Sequence, residues 1–305
     1  MLQFHPPGMG QQRVETSLGE MVYYVAIADP WLMPSFEAQP LIFLHNFGGG
    51  ASAYEWSKVY PAFLDTYRVM APDLIGWGKS AHPVREYRVE DYLITLTEFL
   101  EKTCGSDRAL KVDRPAIVIA SSLTGAIAVR LAVQRPDLFK ALFLVCPAGF
   151  ADFGQDAGRR LPLPAIGMPL LDQLIYSLGA MNEVAVRSFL ERFLFANPSR
   201  VSQEMVAAYL ESAQQHNAQS AALAFLRGDL YFDLATYVPQ LTTPTTILWG
   251  ESAQFISADL GQRLASLNST YIKAFVKVPN AGVLLPLEQP AIAIALLQQF
   301  LSQCG

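Results

Sequence analysis

Short, continuous apolar runs recur along this chain and alternate with longer stretches of helical periodicity. Residues 21–27 (MVYYVAI), 41–45 (LIFLH), 68–72 (RVMAP), 116–120 (AIVIA), 141–145 (ALFLV), 245–249 (TTILW) and 271–278 (YIKAFVKV) read as strands. Most show no polar alternation, the mark of strands covered on both faces. Between them, residues 89–103 place Tyr92, Leu93, Leu96, Phe99 and Leu100 on one helical face. Residues 123–135 form a second helix, stopped by Pro136, and further helices fall near 258–267 and 288–302. Strand and helix in alternation predict an α/β fold, a mostly parallel twisted sheet flanked by helices.

One stretch breaks the alternation. After Pro147-Ala148-Gly149 the pattern holds no strand up to about residue 228. It contains Pro162, Pro164 and Pro169, and its clearest amphipathic segments are 181–195 and 203–215. The expected organisation is therefore a core of residues 1–149 plus 229–305, with 150–228 inserted as a helical cap.

Composition narrows the classes. The chain has 305 residues, 51% apolar and 16% charged, which supports a large core and argues against disorder. A net charge of −5 with no run of either sign gives no nucleic-acid or polybasic membrane surface. Three widely spaced cysteines, Cys104, Cys146 and Cys304, predict free thiols rather than a disulfide framework or zinc site. The first twenty residues lack the basic and apolar blocks of a signal peptide, and no long uncharged apolar window occurs. A cytoplasmic protein without a transmembrane segment is expected. No metal-ligand spacing, phosphate loop or nucleotide fingerprint appears, so no cofactor or metal is expected, and the oligomeric state is open.

Five motifs then occur in order. They are Leu44-His45-Asn46-Phe47-Gly48-Gly49, the turn Pro72-Asp73-Leu74-Ile75-Gly76-Trp77-Gly78-Lys79-Ser80, and Ala120-Ser121-Ser122-Leu123-Thr124-Gly125. Pro244 to Glu251 (PTTILWGE) and Val278 to Pro290 (VPNAGVLLPLEQP) complete the set. Together they resemble the α/β-hydrolase family across nearly the whole chain. The resemblance implies an oxyanion loop at 44–49, a nucleophile elbow with its serine at Ser122, an acid after strand 7 and a histidine in the 278–290 loop.

Two of those implied positions carry the wrong residue. The acid position falls on Ala253, with Glu251 two residues early, and the histidine position is Val283. A serine hydroxyl needs a base, and the base needs an orienting carboxylate. Removing the histidine of such a triad typically costs about 10⁴–10⁶ in turnover. Of the four histidines, His5 falls in the N-terminal tail, His45 in the oxyanion loop and His82 on the surface after the glycine turn. His216, in the cap, is the one candidate for an unconventional base. At the elbow, Thr124 replaces a glycine and is expected to crowd the turn, leaving Ser122 as a helix cap or a ligand hydrogen-bond donor. Asn46, Phe47, Leu123, Val283 and Ala253 are expected to line the oxyanion region and pocket.

The leading expectation is a non-hydrolytic or very weakly active member of the fold that binds a small apolar or amphiphilic ligand. A serine ester hydrolase with an unconventional base is the alternative. A protein-interaction scaffold with a vestigial pocket is the second alternative.

Overall fold

In the computed structural model, residues 4–31, 37–104, 114–149, 176, 178–255 and 257–304 are described. They build an eight-stranded sheet: β1 (Met9–Thr16), β2 (Gly19–Ala26), β3 (Pro40–Leu44), β4 (Arg68–Pro72), β5 (Ala116–Ser121), β6 (Phe139–Val145), β7 (Thr245–Gly250) and β8 (Ile272–Val278). The spatial order is β1-β2-β4-β3-β5-β6-β7-β8. β1 is antiparallel to β2, and β2 to β4, while every later pair is parallel. Every residue of β3, β5 and β7 is buried, as their unbroken apolar runs require.

β1 is the strand that the hydrophobic pattern misses. Its sequence, MGQQRVET, is polar, and it lies at the sheet edge with β2 as its one partner. A hairpin pairing Thr16 with Gly19 brings it there. Edge strands need no apolar run, so the pairing is decided by the hairpin rather than by composition.

The helices follow ordinary end rules. α1 (Val89–Cys104) carries Glu90 and Asp91 in its first turn and Lys102 in its last, matching the helix dipole. α2 (Ser122–Gln134) follows β5 directly. The described part of the inserted region is helical: α3 (Glu183–Phe189), α4 (Gln203–Ala213) and α5 (Gln219–Arg227). Ser202 caps α4 at the Met205 N–H, and Gly228 ends α5 in the left-handed region. α6 (Ala258–Ser266), the single turn α7 (Leu285–Glu288) and α8 (Pro290–Ser302) complete the chain.

The helix expected over 181–195 is present from Glu183 to Leu194 but widens after Phe189 into a π-helical turn, Leu190–Leu194, in which the Phe195 N–H reaches back to the Leu190 carbonyl. Residues 150–175 and 177 of the expected cap, with Pro162, Pro164 and Pro169, lie outside the described residues. What is described of the region expected to form a cap is fastened to the rest of the chain through α4. Ser212 Oγ donates to the Ala51 carbonyl at 2.9 Å and accepts from the Gly78 N–H at 3.2 Å. Tyr54 Oη donates to Glu204 at 2.9 Å, and Lys79 pairs with Glu211 at 2.5 Å. Among the described residues no helix is long and apolar enough to cross a membrane.

Candidate active site

Parallel strands deliver their C-terminal ends to one edge of the sheet, and that edge is where such sheets bind ligands. Here it collects the loop after β3 (Asn46, Phe47), the start of α2 after β5 (Ser122, Leu123), the loop after β7 (Ala253) and the loop after β8 (Val283). All of the sequence-expected site residues except His216 leave from that edge.

Ser122 is the first residue of α2 and has φ 52°, a left-handed conformation that a side chain with a Cβ adopts at a cost of about 1–2 kcal/mol. The turn is held by the Ala148 N–H, which donates to the Ser122 carbonyl at 3.1 Å, and Pro147 packs beside Gly125. Ser122 is half-buried, and its hydroxyl has no hydrogen-bond partner among the described residues. It is therefore not the helix cap: the capping position belongs to Ser121, whose own hydroxyl turns away to Glu55 at 2.5 Å.

Thr124 does not crowd the elbow. It lies inside α2, two residues beyond the strained position, and its hydroxyl donates to the His45 carbonyl at 2.7 Å. The β-branched residue thus ties α2 to the loop after β3.

The oxyanion loop is a network of committed groups. His45 Nε2 accepts from the Leu74 N–H at 3.0 Å, so the ring proton sits on Nδ1, which donates to the Asn46 carbonyl at 2.7 Å. Burial of this ring holds its pKa down at about 4. The neutral, doubly bonded His45 is a strut. Asn46 is also occupied: its N–H donates to Glu55 at 2.7 Å and its Oδ1 accepts from the Gly48 N–H at 2.6 Å. Asn46 therefore has no backbone donor left for a ligand. The Phe47 N–H is unpartnered among the described residues, as is the Leu123 N–H at the open start of α2. These two amides are therefore uncommitted. Phe47's ring is stacked on Trp77 at 5.2 Å and against Tyr92 at 4.5 Å, so its side chain serves the core and does not frame a pocket as expected.

The acid and histidine positions are equally well ordered. Ala253 closes a tight turn on the Gly250 carbonyl and is half-buried, while Glu251 is exposed. Val283 is buried within a loop clamped by Glu288. The Glu288 carboxylate accepts the N–H groups of Gly282 at 2.7 Å, Asn197 at 2.8 Å and Ala196 at 3.1 Å. Gly282 also abuts the Leu194 carbonyl so closely that a Cβ would lie 2.4 Å from it. The cap turn Leu190–Leu194 thereby seats on the Val283 loop. On the other side Phe189 and Leu194 pack over Gly48 of the oxyanion loop, so this turn roofs the site.

The histidines are held elsewhere. His5 stacks on Tyr24 at 3.5 Å and bonds Tyr60 at 2.8 Å, and burial lowers its pKa to about 3. His82 is half-buried rather than solvated, and its Nε2 donates to the Gly78 carbonyl at 3.0 Å. His216 is exposed and lies beside His82, with no bond to Ser122. Among the described residues no cluster of three His, Cys, Asp or Glu side chains is arranged to hold a metal. Glu55, Glu288, Tyr209 and Phe189 were not expected as site residues. Two left a signal: Glu55 is a lone carboxylate inside the aromatic run Tyr54-Glu55-Trp56, and Glu288 falls within the 278–290 motif.

Residues 41–295 match the family described as "Alpha/beta hydrolase family". The chain is 24% identical over 278 residues to a Bacillus subtilis (strain 168) protein named "Uncharacterized hydrolase YugF", covering 90% of this chain and 92% of that protein. It is 28% identical over 230 residues to the "2-hydroxy-6-oxononadienedioate/2-hydroxy-6-oxononatrienedioate hydrolase" of Pseudomonas sp, covering 73% of this chain and 75% of that one. Among solved structures, haloalkane dehalogenase DbeA from Bradyrhizobium elkani USDA94 superposes with a TM-score of 0.75 at 18% identity, covering 97% of this chain and 98% of that one. At that identity the likeness shows the fold.

Proposed function

Because the chain belongs to the alpha/beta hydrolase family, we propose that it binds a small apolar or amphiphilic ligand over Ser122 and hydrolyses esters very weakly or not at all. The observation that carries this is the isolated Ser122 hydroxyl: it has no partner among the described residues, His5, His45 and His82 are engaged elsewhere, and His216 is exposed beside His82. Val283 and Ala253 occupy the places where the family's base and acid stand. A serine without a base stays protonated and is a poor nucleophile at neutral pH. What remains is a binding site. The Phe47 and Leu123 amides and the N-terminal end of α2 favour a carbonyl or carboxylate oxygen. Phe189, half-buried over Gly48, supplies apolar surface for the rest of the ligand.

A serine hydrolase is the second reading, favoured by the strained Ser122 backbone, which a pure binding site does not need, and by relatives with hydrolase names. His216, exposed beside His82, is a poor base for it. One assay separates the two. Purified protein and Ser122→Ala are compared on p-nitrophenyl esters of short to medium acyl length, alongside binding of octanoate. Octanoate binding with no serine-dependent turnover supports the ligand-binding reading. Turnover at an ordinary enzymatic rate that Ser122→Ala abolishes rejects it in favour of the hydrolase.

A further inference from the structure

We infer that Glu55 is a positioning residue for this site: one buried carboxyl links the oxyanion loop, the nucleophile elbow and the cap, and its protonation state sets how firmly the Phe47 amide is held. The inference rests on ligands binding over Ser122.

The geometry begins with a rigid platform. Glu55 lies in the turn Ala53–Trp56, whose first N–H is held by Asp73 at 2.7 Å and whose Trp56 indole donates to the Leu44 carbonyl at 3.0 Å. From there one carboxyl oxygen accepts the Asn46 N–H at 2.7 Å and the other accepts Ser121 Oγ at 2.5 Å. Asn46 immediately precedes Phe47, whose N–H is the free donor, and Ser121 immediately precedes Ser122. A third element joins through α4. Tyr209 Oη and Asn46 Nδ2 are both buried without a hydrogen-bond partner among the described residues, and both interact with the Glu55–Asn46 group. The arrangement therefore holds a single carboxyl amid a surplus of donors, and native proteins rarely leave such donors unpaired without a reason.

No lysine, arginine or histidine pairs with Glu55 among the described residues. Its titratable surroundings are Tyr54 in its own turn, Tyr209 and Glu204 on α4, neutral His45 beside Asn46, Asp73 behind Ala53, and Glu288 on α7, which packs against the turn. Burial without a cation opposes ionisation and the surrounding donors favour it. The balance pushes the Glu55 pKa up to about 7. When ionised, Glu55 makes charge-assisted bonds to Asn46 and Ser121, about twice as strong as neutral ones. When protonated, its own hydrogen needs an acceptor, for which Ser121 Oγ is placed, and the Asn46 bond weakens to a neutral one. The loop carrying the Phe47 amide is then less firmly held.

The test follows Asn46 and Phe47 amide resonances of the full chain from pH 5.5 to 8.5, in wild type and in Glu55→Gln, which imitates the protonated carboxyl. Both amides are expected to titrate with a midpoint near 7 in wild type and to stay flat in Glu55→Gln. Ser121→Ala, which removes one donor from the carboxylate, is expected to move the midpoint upward and provides the answer if Glu55→Gln does not fold. Octan-2-one, a neutral carbonyl ligand that an ionised Glu55 does not repel, is expected to bind wild type severalfold more weakly at pH 5.5 than at 8.5, with the difference absent in Glu55→Gln. Flat amide shifts in wild type, equal titrations in wild type and Glu55→Gln, or a Ser121→Ala midpoint unmoved or lowered overturn the role of Glu55. Titrating amides without octan-2-one binding at any pH leave the Glu55 linkage standing and reject the ligand-binding reading instead.

Discussion

A single hydroxyl, Thr124 Oγ1, joins α2 to the loop after β3, and at this scale replacing one atom group tests one bond. Thr124→Val keeps the shape and leaves the buried His45 carbonyl without that donor. The expected cost is about 1–2 kcal/mol in urea unfolding, and an unchanged midpoint contradicts the assigned bond. Val283 and Ala253 make a sharper pair. If base and acid are all that separate this site from esterase chemistry, Val283→His combined with Ala253→Asp is expected to raise serine-dependent p-nitrophenyl ester turnover about 10²-fold. Neither single substitution is expected to do so, because a histidine without its carboxylate is poorly oriented. His45 is no substitute base: both ring nitrogens are engaged and its pKa lies at about 4.

Among the elements, the turn Leu190–Leu194 and the Val283 loop form one contact, and its tightness depends on a missing side chain. A Cβ on Gly282 would lie 2.4 Å from the Leu194 carbonyl, so Gly282→Ala is expected to push the cap turn off the loop. The cost should be about 1–3 kcal/mol, with faster amide exchange at Leu284, whose N–H donates to the Leu194 carbonyl at 3.1 Å. Exchange unchanged at Leu284 would refute this. Glu288 supports the same junction through three backbone N–H groups. This junction was only half legible in the sequence. The motif from Val278 to Pro290 includes Glu288 and Gly282, but what they hold is the cap, distant in the chain.

Across the whole molecule, buried ionisable groups of opposite type set the response to pH. Glu55 and Asp73 are raised by burial to about 7 and about 6, so between their ordinary values and those limits the folded state holds more protons than the unfolded, and stability falls as pH rises. His5 and His45 are lowered by burial to about 3 and about 4, so from there up to 6.5 the unfolded state holds more protons and stability rises with pH. The two effects oppose each other between about pH 4.5 and 6. Wild-type stability from chemical denaturation is therefore expected to be nearly level from pH 5 to 7 and to fall below about pH 4.5, where the Glu55 effect has ended while His45, down to about pH 4, and His5, down to about pH 3, still favour the unfolded state. Glu55→Gln removes one side of the balance and should expose a slope that rises with pH between 5 and 6.5. A level profile in that variant would mean that Glu55 is not the opposing group.

The sequence by itself determined the sheet and its helices, because strands buried on both faces must be apolar throughout and amphipathic helices must repeat every three to four residues. It also placed Ser122, Ala253 and Val283 on loops that share one edge, since parallel strands all point the same way. Tertiary structure alone decided three things. The polar strand β1 forms because β2 offers it an edge. Asn46 and Phe47 exchange roles, the first giving its amide to Glu55 and the second leaving its amide free while its ring enters the core. Glu55 ties the loop after β3 to the end of β5 through partners 9 and 66 residues away in the chain, with Tyr209 of α4 buried close enough to feel its charge. Local periodicity records which face of an element is buried. It carries no record of which donor a buried carboxylate will meet, because that depends on where distant segments pack.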